Sequence, residues 1–320
     1  MMDAPAPRYA AYMPSAGIAS FLRSPICEDF AQVEADVAVL GIPYDCGVGY
    51  RPGTRFGPRE IRNQSTRYAA WGTGNAAGYW DVNRKQRFLK DVSMVDCGDV
   101  DITYFDIDAN MAKITASVGA LLARGALPVI LGGDHSVTFP NVRAFEALGP
   151  IDIVHIDAHM DWRDEIAGVR YTNASPLRRA KELPFVRHMV QLGIRDVRTR
   201  ESDYEDALSQ GVRIFTREDI REQGVNAVLE AMPELGNVFV TIDIDGFDPS
   251  IAPGTGSPTV DGLLYHEARA LLQGVAARGR VVGFDLVEVN PFIDVEGQTS
   301  LLATTLILEF LGAIFAARGR

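Results

Sequence analysis

The sequence predicts an α/β fold, in which one parallel β-sheet carries helices on both of its faces. Two observations lead to this prediction. Short β-rich segments alternate with longer segments of helical period along the chain, which is the order of elements in α/β proteins. Several predicted strands are also nearly unbroken apolar runs, such as VAVLGI, PVILGG and VVGFDLVEV. Such runs are typical of parallel strands that are buried on both faces.

The alternation gives seven predicted strands and six predicted helices. The strands cover residues 36–44, 92–100, 127–132, 151–157, 189–194, 237–243 and 280–289. The helices cover residues 58–70, 107–124, 139–147, 217–231, 262–277 and 297–317. Thr216 and Asp261 stand just ahead of two of these helices, and their side chains can accept hydrogen bonds from N–H groups of a first turn. We therefore predict both as N-caps.

Two segments depart from this alternation. Residues 1–35 show no strong period, and we expect them to form an N-terminal arm that packs on the body of the protein or on a neighbouring subunit. Residues 71–90 combine glycines, two tryptophans and polar residues, which indicates a long surface loop. No boundary is evident within residues 36–320, so we predict that they form a single domain.

Composition excludes several classes of protein. With 320 residues, 47% hydrophobic and 23% charged, the chain fits a globular protein and neither a disordered nor a collagen-like one. Its formal net charge of −11 argues against nucleic acid and anionic membranes as partners. No apolar run approaches the ~20 residues of a membrane span, and the amino-terminal segment lacks the features of a signal peptide. The three cysteines are widely spaced, which favours a reducing cytoplasm as the location.

Acidic and histidine-bearing motifs follow four of the predicted strands. They are GGDHS (132–136), DAHMD (157–161), DIDGFDP (243–249) and DLVEVNP (285–291). Ligands usually bind at the carboxyl ends of the strands in open parallel sheets. Alternate residues of an extended chain share a face, so Asp157, His159 and Asp161 can converge on one point. Asp243 and Asp245 can converge in the same way from another strand.

These side chains predict a metal site. Four carboxylates and two histidines crowded together would repel one another unless cations neutralise them, and two divalent ions would balance four aspartates. Carboxylate and imidazole ligands without thiolate suit manganese or another first-row ion, with nickel as the second choice. Each motif alone would more often be a polar turn after a strand. The occurrence of three such motifs in order, each at a predicted strand end, favours metal binding.

The motifs resemble those of the ureohydrolase (arginase/agmatinase) family, and the agmatinase-like branch more than arginase. The similar blocks, in family order, are GIPYDCGVGYRPGTRFGPREIR (41–62), GGDHS (132–136), HIDAHMD (155–161), GIRDV (193–197), TIDIDGFDPSIAPGTGSP (241–258) and FDLVEVNP (284–291). The resemblance runs from about residue 36 to residue 320. It implies a three-layer α/β/α fold with a mainly parallel, eight-stranded sheet. It also implies two manganese ions and hydrolysis of a guanidino compound to urea and an amine.

The resemblance also implies roles for individual residues. The ligands of one metal would be His135, Asp157, Asp161 and Asp243, and those of the second would be His159, Asp157, Asp243 and Asp245. Asp157 and Asp243 would therefore bridge the two ions. Glu288 would hold the guanidinium of the substrate, since a carboxylate pairs well with its forked N–H donors. His155 is either a partner of a ligand or a satisfied core histidine.

The chain departs from the family pattern in residues 168–176. Most ureohydrolases carry a proton-shuttling histidine in the comparable segment, but this segment has none, and Asn173 stands at its place. Asparagine can hydrogen-bond a leaving group but cannot titrate. Asp164, Glu165 and Tyr171 are nearby in sequence and are candidate replacements. The predicted catalytic residues are thus Asp161, Glu288 and Asn173, and the predicted substrate contacts are Glu288, Asn173 and Trp162, whose bulk would narrow the mouth of the site.

Several alternatives stay open at this point. Agmatine-type substrates come first, and compact compounds such as guanidine, a biguanide or a short guanidino acid come second. A weakly active partner subunit of a hetero-oligomer is a further hypothesis, because the shuttle histidine is missing. A mononuclear zinc deacetylase ranks last, because the sequence has no His-His pair. The resemblance implies a homo-trimer or homo-hexamer.

Overall fold

A computed structural model describes residues 13–69, 78–103 and 105–320. Ten strands are present in these ranges: β1 (Val37–Gly41), β2 (Tyr79–Asp81), β3 (Gln86–Phe88), β4 (Met94–Asp99), β5 (Leu127–Leu131), β6 (Ile151–Ile156), β7 (Val186–Ile194), β8 (Arg213–Thr216), β9 (Asn237–Asp243) and β10 (Arg280–Val287). Eight of them form one sheet in the order β4-β1-β5-β10-β9-β6-β7-β8, and every pair in it is parallel. The predicted α/β class and the eight-stranded parallel sheet are confirmed.

Nine helices are present in the described ranges: α1 (Gly57–Ala69), α2 (Ile107–Ala123), α3 (Thr138–Arg143), α4 (Pro176–Lys181), α5 (Glu201–Ser209), α6 (Arg217–Gln223), α7 (Val225–Ala231), α8 (Tyr265–Arg278) and α9 (Gln298–Ala317). Two separate clusters of buried apolar side chains flank the sheet. This arrangement follows from strands such as β1 and β5, in which every residue is buried, because both of their faces must be covered.

The elements that sequence reasoning missed are short and largely polar. Strand β8 has four residues and lies at the edge of the sheet, so it shows no buried apolar run. Helix α4 has six residues, and helix α5 buries only Ala207 among its nine. The predicted helix 217–231 is divided into α6 and α7 at Gly224, whose φ of 80° lies in the left-handed region that favours glycine.

One predicted helix cap is present and the other is wrong. Thr216 caps α6: its side chain accepts a hydrogen bond from the Asp219 N–H, and the Asp219 side chain accepts one from the Thr216 N–H. Asp261 does not cap α8, because the chain becomes helical only at Tyr265, after the N-cap Leu264. Asp261 instead forms a 2.8 Å ion pair with Arg221.

The two irregular segments both contact the body of the protein. In the described part of the N-terminal segment, Phe21 is fully buried, and its N–H donates to Asp96 at 2.7 Å. The predicted surface loop 71–90 contains the hairpin of β2 and β3, in which Tyr79 and Phe88 stack with ring centroids 5.5 Å apart. The two aromatic residues are opposite each other in the hairpin, and both lie beside Gly312 of α9. Residues 1–12 and 70–77 lie outside the described residues.

Helix α9 is long and apolar enough to cross a membrane by length and composition alone. Its most apolar window is 67% buried within the protein, and it packs against α1 and α8. It is therefore the central helix of one core cluster.

Strand order brings the four sequence motifs together. Strands β5, β10, β9 and β6 are consecutive in the sheet, and one motif follows the carboxyl end of each. Gly133, just after β5, lies so close to β1 that a Cβ there would be 1.8 Å from the Tyr44 carbonyl oxygen. The Asp134 N–H donates to the same oxygen at 2.8 Å. The loop bearing His135 is thus fixed by backbone contact.

We expect Gly133→Ala to lower the free energy of unfolding by about 2 kcal/mol or more, because backbone must move to admit the methyl group. Gly119→Ala is the matched control: this glycine lies in α2 with nothing within 4 Å of the added Cβ. We expect the control to gain up to about 1 kcal/mol from its helix propensity. Equilibrium denaturation in urea measures both. A Gly133→Ala protein as stable as the control would contradict the close approach.

Candidate metal centre

The first half of the site surrounds His135, which is buried at the start of a short 3₁₀ turn after β5. Its Nδ1 lies 3.1 Å from Oδ2 of Asp157, 2.9 Å from Oδ2 of Asp161 and 3.1 Å from Oδ2 of Asp243. This buried Nδ1 makes no well-aligned hydrogen bond in the part of the chain that the structure describes. One nitrogen and three carboxylate oxygens therefore converge on a common point, as metal ligands do.

The second half surrounds His159. Its Nδ1 lies 3.3 Å from Oδ1 of Asp157 and 3.1 Å from Oδ2 of Asp245. Oδ2 of Asp157 thus faces His135 and Oδ1 faces His159, which is the placement a bridging carboxylate needs. For Asp243, only Oδ2 faces His135, and its Oδ1 accepts the Asp245 N–H at 2.8 Å. The predicted bridging role of Asp243 stays a prediction.

Local backbone turns, rather than extended chain, produce this convergence. Asp161 has a φ of 49°, and this left-handed backbone directs its carboxylate to His135. The extended chain expected from the spacing of Asp157, His159 and Asp161 is therefore not what brings Asp161 to the cluster. Ile244–Gly246 forms a 3₁₀ turn, which brings Asp245 back beside Asp243. Glu288 has a φ of 65°. Left-handed conformations of non-glycine residues are strained and concentrate at functional sites.

Buried polar side chains hold the ligands from behind. His155, which is fully buried, contacts Oδ2 of Asp157 through its Nε2 at 2.7 Å. The Gln191 amide donates to Nδ1 of His155 at 3.0 Å and to the Met160 carbonyl at 2.7 Å. His155 is therefore the donor toward Asp157 and positions this carboxylate. Of the two interpretations left open by the sequence, this contact favours that of a partner of Asp157.

A second buried network, which sequence reasoning missed, lies behind His135. Its Nε2 contacts Oγ1 of Thr241 at 3.0 Å, and this hydroxyl contacts that of Thr138 at 3.2 Å. Thr138 and Asn141 both donate to Asp285, at 2.8 and 2.9 Å. Hydrogen bonds of this kind fix the tautomer and orientation of ligating histidines. The sequence signal was the polar residues inside the otherwise apolar β9 and β10.

Crowding changes the protonation of the cluster. Burial would lower the pKa of both histidines, but the carboxylates beside them raise it, well above its ordinary value for His135 and to about 12 for His159. Burial also raises the pKa of Asp243 and of Glu288 well above the ordinary carboxyl values. Without cations, the cluster therefore retains protons. This donor set, buried and rich in negative charge, fits divalent cations.

A cavity of about 320 Å³ opens onto the cluster. Its lining includes the predicted catalytic residues Asp161, Asn173 and Glu288, and also Trp162. Trp162 is only 1% exposed, and its indole N–H donates to Asp206 at 2.7 Å. Trp162 therefore lies in the wall of the cavity with its indole N–H directed at Asp206, and its predicted contact with the substrate stays a prediction.

The three candidate replacements for the shuttle histidine lie outside the cavity lining. Asp164 forms an ion pair with Arg179 at 2.6 Å, Glu165 is exposed, and Tyr171 stacks on Phe139 with ring centroids 5.6 Å apart. None is placed to exchange a proton with a molecule beside Asn173.

The sequence profile of the arginase family matches residues 35–312. The chain belongs to the arginase family. It is 37% identical over 311 residues to proclavaminate amidinohydrolase of Streptomyces clavuligerus, covering 95% of this chain and 94% of that one. A solved structure of proclavaminate amidinohydrolase from this organism matches with a TM-score of 0.81 and 35% identity, over 96% of this chain and all of that chain.

Two further relatives differ in the activity that they are named for. Mitochondrial agmatinase of Gallus gallus is 34% identical over 301 residues, covering 92% of this chain and 85% of that one. Guanidinobutyrase of Pseudomonas aeruginosa is 34% identical over 302 residues, covering 92% of each chain. The chain is therefore an arginase-family hydrolase that cleaves a C–N bond in a guanidino compound.

We expect the cluster to release protons when it takes up Mn²⁺, because His135 and His159 must be neutral to ligate. Since the carboxylates raise the pKa of both histidines, protons compete with the metal, and affinity should rise with pH throughout the neutral range and above it. Titration calorimetry in buffers of different ionisation enthalpy measures both effects. His135→Gln should weaken uptake at least 10-fold, whereas His188→Gln, outside the cluster, should not. Uptake independent of pH would contradict this account.

Proposed function

We propose that the chain is a dinuclear manganese hydrolase that releases urea and an amine from its guanidino substrate. The observation that carries this proposal is the arrangement of two histidine Nδ1 atoms on opposite oxygens of Asp157, with three further carboxylates beside them. His135, Asp157, Asp161 and Asp243 would hold one ion, and His159, Asp157, Asp243 and Asp245 would hold the other. Oxygen and imidazole donors without thiolate favour Mn²⁺, and Ni²⁺ is the second choice.

Two divalent ions would supply the nucleophile, because they lower the pKa of water so that hydroxide forms near neutral pH. The chain itself orients the side chains that would hold the ions. Its carboxylates are directed inward by the turns at Asp161 and Asp245, and His155 and Thr241 fix a carboxylate and an imidazole from behind.

Glu288 would orient the guanidinium. Its Oε1 accepts the backbone N–H of His135 at 2.9 Å, which ties the carboxylate to the loop that carries a ligand. Its Oε2 makes no hydrogen bond among the described residues, and the side chain lines the cavity. Burial raises the pKa of Glu288 well above its ordinary value, so a cationic partner would stabilise its charged form. A planar cation with forked N–H groups is such a partner.

Asn173 would contact the departing amine. It lines the cavity, and its backbone N–H donates to the Gly47 carbonyl at 3.3 Å. Because its amide can donate and accept but cannot titrate, it would orient the leaving group without delivering a proton. A proton shuttle contributes typically 10²–10⁴-fold in rate. This feature favours the second candidate function, a weakly active partner subunit in a hetero-oligomer.

Turnover by the pure chain separates the two candidates. The metal-loaded protein is assayed for urea with agmatine, arginine, 4-guanidinobutyrate, 3-guanidinopropionate and guanidine, and for released amine with a biguanide. We expect at least one substrate to yield product with two ions bound per chain by elemental analysis. Saturated metal sites without turnover of any of these compounds would support the partner subunit instead.

We expect Glu288→Gln to keep its metal ions but to lose substrate capture. The amide can still accept the His135 N–H, so the loop stays in place, while the negative charge that pairs with a guanidinium is removed. The loss of a hydrogen bond to a charged group corresponds to about 1.5–3 kcal/mol, or a fall of roughly 10- to 150-fold in kcat/KM. Glu230→Gln, an exposed change on α7, is the control. A Glu288→Gln protein with unchanged kcat/KM would remove this role.

A further inference from the structure

We propose that Arg198 binds the carboxylate of a guanidino acid, so that the substrate carries an anionic tail. This inference rests on the proposed hydrolysis of a guanidino compound and names the class of compound. Arg198 lies between β7 and α5, beside the loop after β6 that carries His159. It lines the same cavity as Glu288, and its side chain is 62% exposed.

Among the described residues, the carboxylates of the cavity leave no unpaired anion for a cationic tail. Four of the six that line it belong to the proposed metal and guanidinium sites: Asp161, Asp243, Asp245 and Glu288. The other two are already paired with arginines. Asp203 accepts Nη1 of Arg163 at 2.5 Å, and both oxygens of Asp196 lie about 3 Å from Nε of Arg198, at 3.1 and 3.0 Å.

The guanidinium of Arg198 has donors left after this pairing. Asp196 occupies its Nε. Its Nη2 lies 2.7 Å from Nε2 of His159, and Nη1 makes no hydrogen bond in the described part of the chain. The edge of the guanidinium formed by Nη1 and Nη2 is therefore paired with no carboxylate of the described residues.

A substrate carboxylate would accept hydrogen bonds from the Arg198 donors that remain unpaired. Arginine presents parallel N–H groups that match the two oxygens of a carboxylate. Arg163 holds the backbone of Arg198 in place, because its Nη2 donates to the Arg198 carbonyl at 3.1 Å. The Nη1 of Arg163 is in turn bound by Asp203. An ammonium tail, as in agmatine, would instead meet the positive charge of Arg198 at the mouth of the cavity. The structure thus favours guanidino acids over the agmatine-type substrates that the sequence ranks first.

The test compares a guanidino acid with a guanidino amine of similar length. We expect Arg198→Gln to raise KM for 4-guanidinobutyrate by about 10- to 100-fold, the loss expected for a hydrogen bond to a charged group, with little change in kcat. KM for agmatine should stay the same or fall. Arg198→Glu should reverse the preference between the two compounds. Arg221→Gln, an exposed arginine paired with Asp261 away from the cavity, should match the unaltered protein.

Binding without turnover provides the second readout. Calorimetry of the Mn²⁺-loaded proteins with the products 4-aminobutyrate and butane-1,4-diamine should show the same selectivity, and metal content is measured for each variant because Arg198 contacts His159. Equal losses for the acid and the amine, or a preference of the unaltered protein for agmatine, would overturn the role of Arg198. Absence of urea from every compound would instead overturn the proposed hydrolysis, while the binding measurements would still decide whether Arg198 selects carboxylates.

Discussion

The structure depends on the crowding of negative charge at one edge of the sheet. Asp157, Asp243 and Asp245 are at most 2% exposed, and in the described part of the chain they face the imidazoles of His135, His155 and His159. Ionised carboxylates at this depth are costly unless positive charge neutralises them. The carboxylates accordingly raise the pKa of His159 to about 12, so the cluster retains protons when no metal cation is bound. Divalent ions would neutralise the same carboxylates more fully than protons do.

The surrounding structure keeps these groups from relaxing apart. Each ligand loop is tied to backbone or to a buried polar partner: the loop of His135 to Tyr44 and Glu288, and the carboxylate of Asp157 to His155. Buried hydrogen bonds of this kind are worth most where no water can replace them. The strain at Asp161 and Glu288, of the order of 1–3 kcal/mol for each left-handed residue, is held by the same contacts. The contacts that order these loops therefore also hold the two strained residues in place.

The sequence predicts which side chains converge better than it predicts the path of the chain that brings them together. Apolar runs identify the buried strands because burial on both faces imposes them, and the spacing of Asp157, His159 and Asp161 already indicates convergence. The left-handed turn at Asp161 and the 3₁₀ turn at Asp245 carry no comparable signal, because neither residue type requires such a backbone. The orientation of the Trp162 indole carries no local signal either, because its N–H is fixed by Asp206, a partner 44 residues away in the sequence.

The charges of the site also indicate that different groups would bind the guanidinium head and the tail of the substrate. Two divalent ions would balance four aspartates, and a guanidinium would balance Glu288, so a bound head group leaves the inner site without excess charge. The net charge of −11 is then a poor guide to the substrate, because charges on the outer surface are screened over about 10 Å. The nearest charges to the tail are the two arginine–aspartate pairs of Arg163 and Arg198. Each pair is electrically balanced, but the Arg198 guanidinium retains N–H donors that no carboxylate of the described chain occupies, so the mouth of the cavity can bind a carboxylate although the whole protein is negative.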